Sequence, residues 1–391
     1  MTNNTLASFG RISKAWVAFF MLWCFQLVLG AIWLYFNFSE LSSAPTDALF
    51  FTYDAMIYRQ RAIEFAQNYN LFDLKSVILF LSLYGTNYSV IAIFGAFAQT
   101  KSGFNDWYIF FANSFLLAIA YQSLYGLLRS NNIKPYGLVI TLALFLYIPF
   151  SLIQLNKEII GVTFIALMMS ALHKRSRVGL LLLCISLGVF RIQYLLMALI
   201  LIFSPRPRLF LLLLFINLAV YVAIPPSLSD WGELQDSLGS TTNTLDMMMM
   251  IDKVAYVPIV GVLGYLSRIL VSLLIGFLSP IRLIIDSANV LPTYIFFHSS
   301  IILLSILFMI AVYQYYQVKK YKLIIVPLYY TNLYVLIVFS SVNSIAPFMQ
   351  PRYYLPLILL LAVNQACFKS ANKQRLKTYT INSDLLTHQG V

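Results

Sequence analysis

Charged side chains are scarce in this sequence, where they make up 10% of 391 residues. Soluble domains carry roughly 25% charged residues, so this chain cannot cover the surface of a water-soluble domain. Cysteine and histidine are also scarce, with three of each. Cys24, Cys184 and Cys367 all lie in apolar runs without metal-ligand spacing, which argues against a zinc centre or a disulfide framework. We expect the cysteines to pack as small hydrophobic residues.

The sequence motifs of many soluble enzymes are missing as well. We find no Gly-rich phosphate-binding loop, no zinc-ligand spacing and no Ser-His-Asp signature. ATP-driven chemistry within this chain is therefore not expected. The formal net charge of +12 is of the size found in nucleic-acid-binding proteins, but the basic residues flank apolar segments. Such placement indicates membrane topology, and we expect no nucleic-acid partner.

Apolar residues dominate what is present, since 60% of the chain is hydrophobic and long apolar runs recur from end to end. Long runs favour packed helices, whereas a closed barrel would show short alternating segments. The sequence predicts an all-α, polytopic transmembrane helical bundle that forms one domain over 1–368, followed by a basic cytoplasmic tail over 369–391. The candidate embedded segments are 15–37, 76–98, 108–128, 135–155, 158–172, 178–190, 192–204, 209–225, 256–282, 293–317, 323–342 and 353–368.

Basic clusters set the predicted topology, because loops rich in Lys and Arg stay in the cytoplasm. A strict zigzag through all twelve segments would export the basic cluster at 173–177. The conflict disappears if 76–98 and 256–282 are re-entrant or broken segments, and the polar Gly85-Thr86-Asn87 stretch and Pro280 give reasons for a break. This predicts about ten full spans with both termini in the cytoplasm. Only Asp384 of the 14 acidic residues then lies on the cytoplasmic side.

Two outer loops stand out in this topology, at 38–75 and 226–255. Apolar residues within 53–66 recur at three- and four-residue steps, which predicts an amphipathic helix lying at the membrane surface. The second loop is rich in Ser, Thr and Asp before four consecutive methionines at 247–250. It is either a lid over a site or a connector.

Carboxylates in the first outer loop are candidate catalytic residues. Asp54 can bind a divalent cation or accept a proton from an attacking hydroxyl, and Asp47 is the alternative. The competing interpretation of Asp47 is a helix cap, because Thr46 and Asp47 precede a helical pattern. A divalent cation such as Mg²⁺ or Mn²⁺ at Asp54 is the one cofactor that the sequence leaves open.

Basic residues near lipid are candidate phosphate ligands, because a charge there is costly to maintain. Lys157 and Glu158 lie in a polar break, which is either a turn with solvated side chains or a contact to pyrophosphate or sugar. Arg191 lies at an almost absent turn between two apolar runs, where it either reaches lipid headgroups or binds a lipid-linked phosphate. Arg268 lies deeper in an apolar run, and its burial cost favours pairing or phosphate binding.

The stretch that opens the last span adds further candidates. Its arginine offers a planar fork of donors suited to phosphate, and its tyrosines can stack on a sugar ring or anchor the interface. A proline fixes the chain at the helix start. The candidate residues in this stretch are Gln350, Arg352, Tyr353 and Tyr354.

Together these features resemble the membrane glycosyltransferases of the GT-C type and the related bacterial polymerases of O-antigen and capsule. Such proteins place an acidic residue in a long first outer loop, here Asp54 with Asp47 as the alternative. They place a basic residue at the outer tip of a short pair of helices, here Arg191, and start a late span with Arg-Tyr-x-x-Pro, here at 352–356. The chain lacks the Trp-Trp-Asp and His/Lys-Pro-Pro runs of other members, which shifts the expectation from protein glycosylation to polysaccharide assembly.

The resemblance implies a glycosyltransferase of the bacterial inner (plasma) membrane that uses a polyprenyl-(pyro)phosphate-linked sugar donor at the extracytoplasmic face. It implies that Asp54 orients or deprotonates the acceptor hydroxyl, directly or through a cation. Phosphate would be held by Arg191, Arg268, Arg352 and Lys157. The implied partners are the polyprenyl-linked saccharide, the lipid bilayer and other proteins of glycan assembly.

Three other functions fit the same composition. A repeat-unit polymerase would transfer whole oligosaccharides instead of one sugar and would need the same outward-facing basic residues. A flippase or transporter of lipid-linked saccharide would carry polar residues along a path across the bilayer, often with inverted repeats. A structural subunit without catalysis is the third.

The predicted topology leads to a direct test with reporter fusions. A fusion after Arg175 is expected to report the cytoplasm, because basic loops are retained there, and a fusion after Ser240 is expected to report the outside. Alkaline phosphatase and green fluorescent protein give opposite signals at each site and serve as mutual controls. A phosphatase signal at Arg175 would contradict this topology.

Overall fold

The computed structural model describes residues 14–41, 53–203, 292–321, 326–343 and 356–388. Within these ranges the chain is almost entirely helical, apart from the short antiparallel pair β1 (Gln99–Thr100) and β2 (Gly103–Phe104). Two 3₁₀ turns lie at Ala96–Ala98 and Gly188–Phe190. The helices are α1 (Lys14–Leu41), α2 (Tyr53–Asn68), α3 (Leu74–Gly95), α4 (Asp106–Ser130), α5 (Tyr136–Ala143), α6 (Tyr147–Leu152), α7 (Glu158–His173), α8 (Arg177–Ser186), α9 (Ile192–Phe203), α10 (Pro292–Tyr321), α11 (Pro327–Asn343) and α12 (Leu357–His388).

Three of the described helices are long and apolar enough to cross a membrane. They are Lys14–Phe36, Asp106–Ser130 and Ile302–Tyr321. The predicted segments 209–225 and 256–282 lie outside the described residues. Helix α12 continues without a break across the predicted boundary between 368 and 369. The structure thus has the helical, membrane-compatible character that the sequence predicts.

Contacts between helices fix their relative directions. Helices α1 and α4 are antiparallel, since Phe19 of α1 packs against Tyr125, whereas a Cβ at Gly30 would lie 3.0 Å from the Phe110 ring. Helices α4 and α7 are parallel, with the Thr163 hydroxyl donating to the Leu116 carbonyl at 3.1 Å and Asn131 contacting His173 at 3.2 Å. These directions are the ones that the predicted topology requires of the three helices.

Helices α2 and α3 follow α1 in the chain and precede α4, and they form an antiparallel hairpin. Phe65 packs on Phe80 with ring centroids 5.0 Å apart, and Tyr58 lies 5.7 Å from Tyr88. The open end of the hairpin meets the start of α4, where the Asn105 amide donates to the Ala98 carbonyl at 2.8 Å. Both ends of the hairpin therefore lie near the start of α4.

Two predictions about this hairpin need correction. The break expected at 85–87 is not observed, because α3 runs as one helix through these residues. Packing along α2 sustains a helix that the local Gly and Asn disfavour. The amphipathic helix predicted over 53–66 is present as α2, but its apolar residues Ala55, Tyr58, Ala62 and Phe65 are buried within the protein. Its apolar face therefore serves packing within the protein instead of contact with the membrane.

The predicted segment 135–155 is broken, although its apolar pattern predicts one continuous span. Helix α5 ends at Ala143 and α6 begins at Tyr147. Pro149 explains the interruption, because proline has no amide proton and its ring clashes with the carbonyl four residues earlier, here that of Phe145. In the first turn of α6 the same proline is tolerated.

Buried amides on neighbouring helices bind carbonyls at the ends of both α5 and α6. The side chain of Gln26 on α1 donates to the Leu142 carbonyl at 3.2 Å and accepts from the Tyr121 hydroxyl at 2.6 Å. Asn113 on α4 donates to the carbonyls of Leu152 and Gln154 at 3.1 and 3.0 Å. Helix ends enclosed in apolar surroundings need such partners because water does not reach them.

Replacing Asn113 by Asp tests whether this amide holds the end of α6. The substitution keeps the shape of the side chain but removes its donors, so the bound carbonyls lose their partner, at a cost of about 1–3 kcal/mol in unfolding free energy. We expect a lower thermal unfolding temperature in detergent. The matched control is Phe115→Leu on the exposed side of the same helix, which should leave the temperature nearly unchanged. Equal unfolding temperatures for the Asn113→Asp variant and the wild-type protein would contradict the assignment.

Candidate functional site

The polar turn at 156–158 is enclosed by the protein. The Asn156 side-chain oxygen accepts the Glu158 amide at 3.2 Å and so starts α7 in the manner of an Asx turn. Lys157 is 2% exposed and Glu158 is 8% exposed. The interpretation of this break as a turn with solvated Lys and Glu side chains is therefore wrong. Glu158 occupies the first turn of α7, where the helix dipole favours a negative charge.

Lys157 faces the start of helix α2. Its Nζ lies 5.3 Å from the centroid of the Tyr58 ring, within the range of a cation–π contact. Asp54 lies one helical turn before Tyr58, in the first turn of α2. The side chain of Asp54 is outside the described part of the structure, but the backbone places this residue on the helix that packs against Lys157.

Arg191 lies between the 3₁₀ turn Gly188–Phe190 and helix α9. Its backbone is extended, with φ −153° and ψ 121°, which ends the turn and aims the chain into α9. The residue is 8% exposed, and its Nη1 lies 3.4 Å from the Tyr194 hydroxyl. Burial among protein side chains argues against the alternative in which Arg191 extends to lipid headgroups.

Gly161 brings three separate parts of the chain together. A Cβ at this position would overlap the Tyr194 hydroxyl and would lie 3.0 Å from Cγ of Pro356. Tyr194 is held there by stacking on Phe164, with ring centroids 4.9 Å apart and planes at 14°. Because Gly161 lies one turn after Lys157, the Arg191–Tyr194 pair and the start of the last span meet at the same end of α7.

A buried ion pair joins α2 to the start of α4. Arg59 Nη2 lies 3.2 Å from Asp106 Oδ2, and the two side chains are 13% and 3% exposed. The Arg59 guanidinium also lies over the Phe104 ring at 5.1 Å. Since Arg59 follows Tyr58 directly, the pair determines where Tyr58 meets Lys157.

A second cluster of ionic and aromatic groups, formed by Arg61, Glu64 and Tyr84, joins α2 to α3. Arg61 Nη1 lies 2.7 Å from Glu64 Oε2, and the Tyr84 hydroxyl donates a short hydrogen bond to Glu64 Oε1. Burial alone would raise the pKa of Glu64, but the hydrogen bonds from Tyr84 and Arg61, together with the Arg61 charge, hold it below its ordinary value. The Arg61 guanidinium stacks 3.9 Å above the Tyr84 ring and is more exposed than Arg59.

The structure thus brings three of the predicted site residues, Lys157, Glu158 and Arg191, to one end of α7. The other candidates lie outside the described residues or, for Asp54, have a side chain outside them. These are Asp47, Asp54, Arg268, Gln350, Arg352, Tyr353 and Tyr354. Pro356, four residues after Arg352, is described and contacts α7.

The divalent cation remains a prediction that concerns Asp54 and Asp47. Among the residues that the structure describes, no group of three His, Cys, Asp or Glu side chains comes close enough to hold a metal ion. Asp106 at the start of α4 is paired with Arg59 of α2.

Sequence reasoning missed three residues that build the site, namely Asn113, Arg59 and Asp106. Asn113 carried a usable signal, because a polar amide inside an otherwise apolar predicted span needs a partner. The Arg59–Asp106 pair carried none, since the two residues are far apart in the chain and each alone is compatible with a solvated loop.

Comparison with protein-family models, with curated proteins and with solved structures finds no match for this chain.

A double-mutant cycle tests the buried ion pair. Arg59→Met and Asp106→Asn each leave one buried charge without its partner, and each is expected to lower the unfolding free energy by about 3 kcal/mol. The double variant should lose less than the sum of the two, because neither charge remains. Thermal and denaturant unfolding in detergent measure the coupling.

The matched control for this cycle is the more exposed pair on the same helix. Arg61→Met is expected to cost about 1 kcal/mol or less, because partly exposed ion pairs contribute little. Additive losses in the Arg59/Asp106 cycle would show that the two charges do not interact in the folded protein.

Proposed function

We propose that this protein is a membrane glycosyltransferase of cell-surface polysaccharide assembly. It transfers sugar from a polyprenyl-(pyro)phosphate-linked donor to an acceptor hydroxyl at the extracytoplasmic face. The observation that carries the proposal is the burial of Lys157 and Arg191 at one end of α7, beside α2, whose first turn contains Asp54. The basic-residue pattern assigns this end to the outer face.

Buried cations suit a donor whose leaving group is anionic. A phosphate is attracted strongly to Lys and Arg side chains in such enclosed surroundings, because a low dielectric strengthens the Coulomb interaction. The aromatic contacts of Lys157 with Tyr58 and of Arg191 with Tyr194 fix the two cations before the donor arrives. Groups held in place in this way stabilise charge that develops on the leaving oxygen.

The proposed reaction is a substitution at the anomeric carbon. The acceptor oxygen forms a bond to that carbon while the bond to the phosphate oxygen breaks, and the electron pair leaves with the phosphate. The acceptor proton passes to Asp54. A divalent cation at this carboxylate would orient the acceptor hydroxyl and lower its pKa. Lys157 and Arg191 receive the phosphate charge, with Arg268 and Arg352 proposed as further ligands and Glu158 as a sugar contact.

The distribution of buried charge favours an enzyme over a transporter. In the described ranges, the buried charged side chains are Asp106, Lys157, Glu158 and Arg191. All four lie at the end of the bundle assigned to the outer face, whereas a transport path for an anionic lipid-linked saccharide would place charged groups across the bilayer. The buried polar residues of the other described helices, such as Gln26 and Asn332, are uncharged.

Substitution of the two cations tests the proposal in a host strain that lacks the native gene. Lys157→Met and Arg191→Met are each expected to lower glycan output by about 10²–10³-fold, the usual effect of removing one group that stabilises a developing charge. Asp54→Asn should lower it as well. Immunoblots of membranes establish that the variants are present, and Lys101→Met serves as an exposed outer-face control that keeps wild-type output.

The products separate the related functions. A truncated repeat unit indicates transfer of one sugar, whereas complete single repeat units without a ladder of longer chains indicate a repeat-unit polymerase. Wild-type glycan from Lys157→Met and Arg191→Met, with normal expression, would overturn the proposed site.

A further inference from the structure

A groove between α1 and α4 is lined mainly by aromatic rings. It encloses about 260 Å³, and six aromatic side chains, an alanine and a glutamine form its walls. Its floor is buried, because Phe19 packs on Tyr121 with ring centroids 5.8 Å apart. We call this space the aromatic groove, and its rings are those of Trp16, Phe19, Phe20, Trp23, Tyr121 and Tyr125.

The aromatic groove opens to the outside of the protein. On its α1 wall, Trp16 stacks on Phe20 with ring centroids 5.4 Å apart and planes at 8°, and the two side chains are 38% and 43% exposed. Both helices that form the groove are among the three described helices that are long and apolar enough to cross a membrane. In a membrane, an apolar chain that lies in the groove would contact rings of both helices.

Two cations lie at one end of the aromatic groove. Lys14 begins α1, and Arg129 lies in the last turn of α4. Because α1 and α4 are antiparallel, with Phe19 packed against Tyr125, the two cations are at the same end of the helix pair. Both are exposed. Among the described residues, no carboxylate forms an ion pair with either of them.

The surface between the groove and Arg129 is open. Arg129 lies four residues after Tyr125, and Gly126 lies four residues after Gln122, so all of them share one face of α4. A Cβ at Gly126 would meet no atom within 4 Å. A molecule in the aromatic groove can therefore extend along α4 to the guanidinium without meeting a side chain at this position.

We propose that the aromatic groove binds an anionic phospholipid, with one acyl chain on the rings and the phosphate on Arg129 and Lys14. The apolar groove ends at two cations, and a phospholipid has the matching arrangement of an apolar chain that ends at an anion. The predicted topology places the start of α1 in the cytoplasm, and basic residues between membrane helices on that side bind anionic headgroups.

The side chains of the groove argue against a transmembrane helix as its occupant. Contacts between membrane helices are rich in Gly, Ala and Ser, because small residues let two backbones approach closely. Here Trp16, Phe20 and Trp23 hold another backbone away, whereas a flexible acyl chain can follow their uneven surface. The inference does not involve sugar transfer, so it can fail while the proposed function stands, and the reverse.

Quenching of tryptophan fluorescence by brominated lipid tests the site in the full chain. Replacing Trp33, Trp107 and Trp231 by Phe leaves Trp16 and Trp23 as the only tryptophans. The protein is reconstituted in phosphatidylcholine vesicles that contain a small fraction of phosphatidylglycerol, and either lipid carries the bromine. We expect brominated phosphatidylglycerol to quench more strongly than brominated phosphatidylcholine at an equal mole fraction.

Charge variants identify the headgroup ligands. Arg129→Gln and Lys14→Gln are each expected to lower the preference for phosphatidylglycerol about fivefold, the usual contribution of one cation near anionic lipid. Lys101→Gln is the matched control, because it removes an exposed charge that precedes α4 at its opposite end and should leave the preference unchanged. Thermal unfolding in detergent establishes that each variant is folded.

A blocking variant tests the path along α4 without changing charge. Gly126→Leu places a side chain in open space, so it should fold normally and lower the retention of phosphatidylglycerol. Native mass spectrometry of the otherwise wild-type protein measures this retention and avoids the tryptophan substitutions. Equal quenching by the two lipids would overturn the inference, because it would mean that the groove holds bulk lipid only. Absence of quenching by both would overturn it too, because it would mean that protein, such as a second copy of the chain, covers the rings.

Discussion

A helix that ends inside an apolar bundle leaves its last carbonyls without water, and this constraint shapes the site end of the protein. Asn113 meets it by donating to the carbonyls at the end of α6. Because these carbonyls are bound, the chain can turn at 156–158 while still enclosed, and the turn carries Lys157 and Glu158 into the interior. Gln26 plays the corresponding part at Leu142. Polar amides on the unbroken helices α1 and α4 thus make a broken neighbour possible.

Ionic groups inside such a bundle are sustained only by specific partners, and this links the hairpin to the site. Arg59 and Asp106 compensate one another and in doing so hold Tyr58 over Lys157. The hairpin therefore has two different sides. Its inner side completes the surroundings of a cation, and its outer side exposes apolar residues of α3 such as Ile78 and Leu79.

The long helices were predictable from uninterrupted apolar runs in the sequence, because a chain inside hydrocarbon must pair every backbone N–H and C=O group and a helix does so within one segment. The segments 15–37 and 108–128 correspond closely to α1 and α4. Breaks were less predictable: Gly85-Thr86-Asn87 lies within a continuous helix, whereas Pro149 accompanies an interruption. A local sequence states only a preference, and packing against α2 or an amide such as Asn113 decides the outcome. The Arg59–Asp106 pair could not be predicted from the sequence either, since only the fold brings the two residues together.

Close packing at Gly161 explains how residues from separate helical pairs come to share one end of α7. Any larger residue there would displace the Tyr194 hydroxyl, and Arg191 would lose the ring that positions it. The same position contacts Pro356, the residue that directly precedes α12. Sequence spacing can identify cations that lipid makes costly, but it cannot show that they converge. Here one position without a side chain, Gly161, lets Tyr194 of α9 and Pro356 at the start of α12 approach α7 closely, and Tyr194 brings Arg191 to that end of the helix.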